Sequence, residues 1–241
     1  MNNIHTSQEK SDFKRHALNR SAPFGPLPAE DIERLASMAK IVTLPAGMLL
    51  FMKGDPGDRL YIIVSGLVRI ATVSPDGQEI TLNLLSDGQM FGEIAILDGG
   101  IRTADATTVE ETQLLAIERR DLTSLLVENP RVCMRLLYTC AARLRWISQA
   151  LEDTQFLDLP ARLAKRLLQL AHAFGRPAEQ GIKIGIRLSQ QDLATHMNAS
   201  RESVNKLINA WEHQGLVQTG RNWIIITNPE GLEQSTFGWR C

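Results

Sequence analysis

The chain has 241 residues, 44% of them apolar and 22% charged, with a net charge of −1, values that suit a folded protein of one large domain or two modest ones. It holds no run of about 18 apolar residues that would span a membrane, and its polar start, MNNIHTSQEKSDFKRHALNR, lacks the apolar core of a secretory signal. Three cysteines (Cys133, Cys140 and Cys241) form no CxxC or Cys/His cluster, which argues against structural zinc and a disulfide scaffold and points to the cytoplasm.

Charge is unevenly spread. Residues 1–157 carry 16 Lys/Arg against 20 Asp/Glu, and residues 158–241 carry 10 against 7, so only the C-terminal part is basic. Residues 1–25 read as a mobile tail. A helix is expected over 28–39, with Ile32, Leu35 and Ala39 facing inward. Then DRLYIIVSGLVRIATV reads as two strands broken at Ser65-Gly66, with Val68, Ile70 and Thr72 alternating against Arg69 and Ala71. SPDGQ has the composition of a tight turn, and EITLNLL alternates Ile80, Leu82 and Leu84 on one face. Gly47, Gly54, Gly57, Gly66, Gly77, Gly88 and Gly92 punctuate this stretch, as in a β-roll or barrel of short strands over 26–129.

Within it, FGEIAILDGGIRTADA places Glu93 and Arg102 nine positions apart across a glycine-bearing turn. A carboxylate can accept from a ribose 2′-OH and a guanidinium can fork onto phosphate oxygens. Gly88 and Gly92, with a short helix opening at Glu93, let backbone N–H groups approach an anion. The alternative is an ion pair between Glu93 and Arg102 across the loop.

From 130 the period changes. Cys133, Leu137, Cys140, Leu144, Ile147, Leu151 and Thr154 follow a 4-3-4-3 rhythm, flanked by Arg135, Arg143, Arg145, Glu152 and Asp153. That is the seam of a dimerisation helix running to a hinge at 156–160, against the alternative of a long helix lying on its own domain. Asp158 is placed to cap the next helix, with Pro160 in its first turn, and FGRPAEQG (174–181) reads as a loop.

LSQQDLATHMNASRESVNKLINAW (188–211) reads as a helix-turn-helix. Ser189 caps a first helix carrying Leu193, Ala194 and Met197. Asn198 takes the left-handed turn in place of the more usual Gly. Ser200 caps a second helix whose Val204, Leu207 and Ile208 pack back on the first. Candidate DNA contacts are Ser189 and Gln190 at the start of the first helix, and Ser200, Arg201, Glu202, Asn205 and Lys206 on the second. Arg suits guanine O6/N7 and Glu suits cytosine N4. A turn at Gly220 and the apolar strand 223–227 suit a wing, with Arg221 at its tip positioned for phosphate.

With these motifs in order, the segment 27–233 resembles the cyclic-AMP receptor/fumarate-nitrate regulator family of bacterial transcription factors. FGEIAIL…IRTA is similar to the family's phosphate-binding cassette, FLDLPARLAKRLLQLA to its hinge and first DNA-domain helix, and SRESVNK to its recognition helix. The resemblance implies an α+β chain: a cyclic nucleotide-binding β-roll, a long dimerisation helix (130–157) and a C-terminal winged helix-turn-helix (158–241). It implies that Gly92, Glu93 and Ile94 line the ribose side, that Arg102 holds the cyclic phosphate with Thr103 and Ala104 beside it, and that the base meets the long helix at Ile147-Ser148. Family members that bind cyclic AMP carry Thr-Ser there. Ile147 removes that hydroxyl, and the Arg-Thr-Ala form of the cassette is similar to that of cyclic GMP-binding domains, so the expected ligand is cAMP or cGMP, with the choice between them open. The resemblance further implies a palindromic TGTGA-like operator in double-stranded DNA, a homodimer, RNA polymerase as a partner (through 174–181) and no membrane. Lys206 stands where the family usually has arginine.

No metal, haem or iron–sulfur cluster is expected. No cysteine precedes Cys133, and the five histidines (His5, His16, His172, His196, His213) form no ligand set. No nucleophile–base motif, metal spacing or Walker loop points to an enzyme. Two other readings stay open: a family member that binds DNA without nucleotide or senses a redox, gas or metal signal, and a nucleotide-binding signalling module without operator specificity.

Overall fold

The computed structural model describes residues 6–74, 77, 79–186, 189–220 and 222–235. The elements run α1 (Ser7–Asn19), α2 (Ala29–Met38), β1 (Lys40–Leu44), β2 (Leu49–Phe51), β3 (Arg59–Ser65), β4 (Val68–Val73), β5 (Glu79–Leu85), β6 (Met90–Phe91), α3 (Glu93–Asp98), β7 (Asp105–Thr108), β8 (Thr112–Glu118), α4 (Arg119–Glu128) and α5 (Pro130–Phe156). Then follow α6 (Leu159–Phe174), β9 (Gly175–Ala178), β10 (Gly181–Ile184), α7 (Gln190–Met197), α8 (Arg201–His213), β11 (Val217–Gly220), β12 (Trp223–Ile226) and α9 (Pro229–Gln234). They form two compact units, one of Met1–Gly77 and Thr81–Leu144, the other of Gln78–Ile80 and Arg145–Cys241. The chain is α+β, and among the described residues no helix is long and apolar enough to cross a membrane.

In the first unit two four-stranded sheets, ordered β1-β8-β3-β6 and β2-β7-β4-β5, make a β-roll. The two-residue period of β3 and β8 serves two cores at once. Leu60, Ile62, Leu115 and Ile117 face α2, α4 and the first turns of α5, where Val132 and Leu136 are buried. Tyr61, Ile63, Leu114 and Ala116 face the inside of the roll with Val68, Leu85, Phe91 and Ala106.

Several expectations are corrected here. Residues 7–19 are a helix and not a mobile tail. Thr6 and Glu9 form a capping box, Ala17, Leu18 and Phe24 enter the core, and Ala22 N donates to Gly88 O. Apolar positions too few for a clear period hid this helix, but together with Phe24 they suffice to dock it. On β5 the inward residues are Thr81 and Leu85 while Leu82 is exposed, so the face is the one opposite to Ile80, Leu82 and Leu84. A slip of one residue exchanges the faces of a strand, and the roll here takes a polar Thr inside. On β4 the fully buried pair is Val68 and Ala71, with Ile70 half-buried, so the alternation there is broken.

The second unit packs α6, α7, α8 and α9 with a sheet ordered β11-β12-β10-β9. α5 ends at Phe156, and Asp158 caps α6, its carboxylate accepting from Ala161 N at 2.9 Å. The expected loop 174–181 is largely a β-hairpin. Gly175–Ala178 pairs with Gly181–Ile184, the Gly-Pro composition notwithstanding, because Ile184 is buried and β10 also pairs with β12.

Candidate functional site

The cassette begins where β6 hands to α3. Gly92 is the N-cap of α3 with φ 80, a left-handed conformation that disfavours any side chain. Space forbids one too, since a Cβ there would lie 2.6 Å from Arg102 Nη1 and 3.1 Å from Arg59 O. Arg102 is 2% exposed. Its Nη1 donates to Gly92 O at 2.9 Å and its Nη2 to Arg59 O at 2.8 Å, with Asp58 Oδ1 at 3.5 Å. The guanidinium carbon stands 4.2 Å from the centroid of the Phe51 ring. Burial lowers the arginine's pKa, against the stabilising influence of Tyr61, Asp58, Asp55 and Glu93, and burial likewise raises that of Tyr61.

One nitrogen of this buried cation has no hydrogen-bond partner. Arg102 Nε is inaccessible to solvent and has no acceptor. A buried donor without a partner is uncommon and calls for an explanation, and an anion delivered to the Gly92–Arg102 cradle supplies one. The donor set, a guanidinium beside backbone N–H groups at a helix start, fits a phosphate diester.

Glu93 is buried and pairs with Arg143 of α5, which also donates to Met90 O. Glu93 and Arg102 therefore find other partners rather than each other, and the simple loop-spanning pair does not form. Arg143 is a residue that sequence spacing missed. It lies 50 positions from Glu93, its spacing places it on the charged flank of the α5 rhythm, and no local pattern reports such a distant partner. Ile94 and Thr103 are exposed while Ala104 is buried. Ile147 and Ser148 are exposed on α5 and belong to the second unit, whereas Glu93, Arg102 and Arg143 belong to the first.

On α5 the seam positions Leu137, Leu144, Ile147 and Leu151 are 51–66% exposed. Cys133 and Cys140 on the same rhythm are free and half-buried, and burial raises the Cys140 pKa. The helix face that packs at home is instead that of Val132 and Leu136.

In the second unit Ser189 and Asp192 form a capping box at the start of α7, which buries Leu193, Ala194 and Met197. Asn198 takes φ 50, ψ 50. Ser200 caps α8 by accepting from Ser203 N at 3.0 Å. Val204, Ile208 and Trp211 form the buried face of α8, with Leu207 only half-buried. Arg201, Glu202 and Lys206 are exposed and Asn205 half-buried, and Lys206 lies 3.7 Å from Glu202. Ser189, Gln190 and Arg201 line an open groove of about 480 Å³ together with Thr219, Gly220, Asn222, Trp223 and Ile224 of the β11–β12 hairpin. Arg221 lies outside the described residues. Among those described, no group of three or more His, Cys, Asp and Glu residues could hold a metal.

Comparison with known proteins places both halves. Residues 41–129 match the cyclic nucleotide-binding domain and residues 161–235 the Crp-like helix-turn-helix domain. A CRP-like cAMP-activated global transcriptional regulator of Mycobacterium tuberculosis is 37% identical over 215 residues, 89% of this chain and 96% of that one. The cyclic AMP receptor protein of Thermus thermophilus is 34% identical, over 92% of this chain and 99% of that one. The solved structure of the c-di-GMP responsive global regulator CLP of Xanthomonas campestris is 25% identical and superposes with a TM-score of 0.72 over 83% of this chain and 99% of that one. With a cyclic nucleotide-binding domain ahead of a DNA-binding helix-turn-helix, and with relatives this similar along almost its whole length, the chain belongs to the Crp/Fnr family of transcription regulators.

Proposed function

We propose that this protein is a homodimeric regulator whose affinity for a palindromic, TGTGA-like operator is set by cAMP or cGMP in the β-roll. The observation that carries the nucleotide half is the buried, acceptor-less Nε of Arg102 within a cradle that only glycine permits at position 92. A cyclic phosphate fits that donor. Glu93 accepts from the ribose 2′-OH, and Arg143, already on Glu93, makes the carboxylate's engagement felt directly by α5. The M. tuberculosis relative is described as cAMP-activated, which supports cAMP. Ile147 in place of a hydroxyl-bearing residue and Thr103 in the cassette support admission of cGMP as well.

Two protomers joined along the exposed seam of α5 present two α8 helices to half-sites about one helical turn apart. Arg201 and Glu202 read guanine and cytosine, Lys206 reaches guanine or phosphate, and Ser189, Gln190, Ser200 and Asn205 complete the contact surface, with Arg221 on the backbone. RNA polymerase is the further partner, through the β9–β10 hairpin. Nucleotide shifts a population toward the DNA-competent arrangement, so ligand and operator affinities are coupled reciprocally.

The test is calorimetric titration of the full chain with cAMP and with cGMP, beside Arg102→Ala. Binding of either nucleotide that weakens at least about a hundredfold in the variant, the scale of a lost charge-assisted bidentate contact, supports the reading. Two flat traces overturn it and leave a DNA-binding protein with another signal.

A further inference from the structure

Arg102 is held in a way that its role as an anion clamp does not by itself require. Two backbone carbonyls, Gly92 O and Arg59 O, take one hydrogen from each terminal nitrogen and so restrain the guanidinium within its own plane. Neither restrains rotation out of that plane. The guanidinium carbon lies over the ring of Phe51, 4.2 Å from its centroid, with the Tyr61 ring further off at 5.9 Å. Phe51 is itself fixed by a run of rings. It stacks on Tyr61 at 6.1 Å and meets Phe91 at 6.0 Å, and Tyr61 stacks on Phe91 at 5.1 Å. All three rings belong to the packed interior of the roll.

We infer that Phe51 is a positioning residue for the phosphate clamp: its ring, backed by Tyr61 and Phe91, holds the Arg102 guanidinium in place so that the cation is ordered before the anion arrives. The inference rests on the cyclic-nucleotide reading of the cassette. The physical basis is the attraction of a cation to the negative face of an aromatic ring, which strengthens when both are out of water, together with the affinity gained when a binding group is ordered before the ligand arrives. An aliphatic side chain fills the same space but offers no quadrupole, so the guanidinium is then free to tilt.

The experiment compares full-length Phe51→Leu, Phe51→Tyr and Arg102→Ala with the parent. Each is titrated with cAMP and, as a ligand lacking the phosphate, with adenosine at millimolar concentration followed by ligand NMR. The expected result is a loss of about tenfold in cAMP affinity for Phe51→Leu, a loss under about twofold for Phe51→Tyr, and no change in adenosine binding for either. Thermal melts check that the variants are folded, and Phe51→Met replaces Phe51→Leu if the latter is not. Equal weakening of cAMP and adenosine, failure of Tyr to preserve affinity, or cAMP affinity within twofold of the parent in Phe51→Leu each overturns the positioning role. Retention of cAMP affinity in Arg102→Ala overturns the reading of the cassette itself, which is a separate outcome.

Discussion

Among the described residues two arginines are buried, and the contrast between them shows what a framed cation looks like. Arg102 lies over an aromatic ring, with carbonyls on its edges. Arg166 on α6 is 9% exposed among Leu163, Leu167 and Leu170, with Gln169 Oε1 at 3.5 Å and its Nε without an acceptor. Burial lowers its pKa to about 10. The sign follows from proton uptake. Above about pH 10 the unfolded chain still holds a proton that the folded chain has released, so stability rises with pH up to the unfolded arginine value. Below about 10 both forms are charged, and the folded state carries the full penalty. Arg166→Met is therefore expected to stabilise the protein at neutral pH by about 1–3 kcal/mol, with an advantage that shrinks above pH 10. Thermal melts at pH 7 and pH 10.5 check this, and a lower melting temperature for the variant at pH 7 would show that the guanidinium makes a net favourable contact.

The junction of α5 and α6 is held by more than the Asp158 cap. Lys165 Nζ lies 2.7 Å from Asp153 Oδ1, with side chains 32% and 17% exposed, and Gln149 Nε2 donates to the same oxygen at 3.1 Å. The pair spans the two-residue link between helices, so it restrains the angle at which α6 leaves α5. A half-buried pair of this kind contributes about 1 kcal/mol. Asp153→Asn and Lys165→Met should each speed amide exchange at residues 157–162 by about fivefold, and the charge-swapped double variant should recover part of the protection. Identical exchange in all variants would leave the junction to its cap alone.

Taken as one molecule, the protein leaves a row of leucine and isoleucine side chains along α5 more than half in water. Folded monomers seldom expose a continuous apolar row of this size, and its rhythm is that of a two-stranded seam. Leu144→Glu buries a charge in that seam if it is the dimer interface. Sedimentation should then show monomer at concentrations where the parent is dimeric, with operator affinity falling at least about a hundredfold as one of two half-site contacts is lost. A dimeric Leu144→Glu protein would place the interface elsewhere. On the proposed reading, in which nucleotide and operator favour the same state, the factor by which nucleotide tightens operator binding equals the factor by which operator tightens nucleotide binding.

The helix-turn-helix, the cap at Asp158, the long helix α5 and the glycine-framed cassette were all legible in the chain, because each depends on spacing within one or two turns. Asn198 is an instance: any residue tolerant of the left-handed region serves there, and its neighbours at Ala194 and Val204 announce the crossing. What tertiary structure alone decided involves partners far apart in sequence. The inward face of β5 depends on what fills the roll and not on its own alternation. The helix at 7–19 depends on a core that Phe24 joins, and the strand character of 175–184 depends on β12. Arg143 on Glu93 and Phe51 over Arg102 are meetings across 50 residues or more. Local pattern reports backbone preference and the periodicity of burial, whereas the partners of a buried charge are chosen by the whole fold, since only the fold determines which dipoles and rings share its dry surroundings.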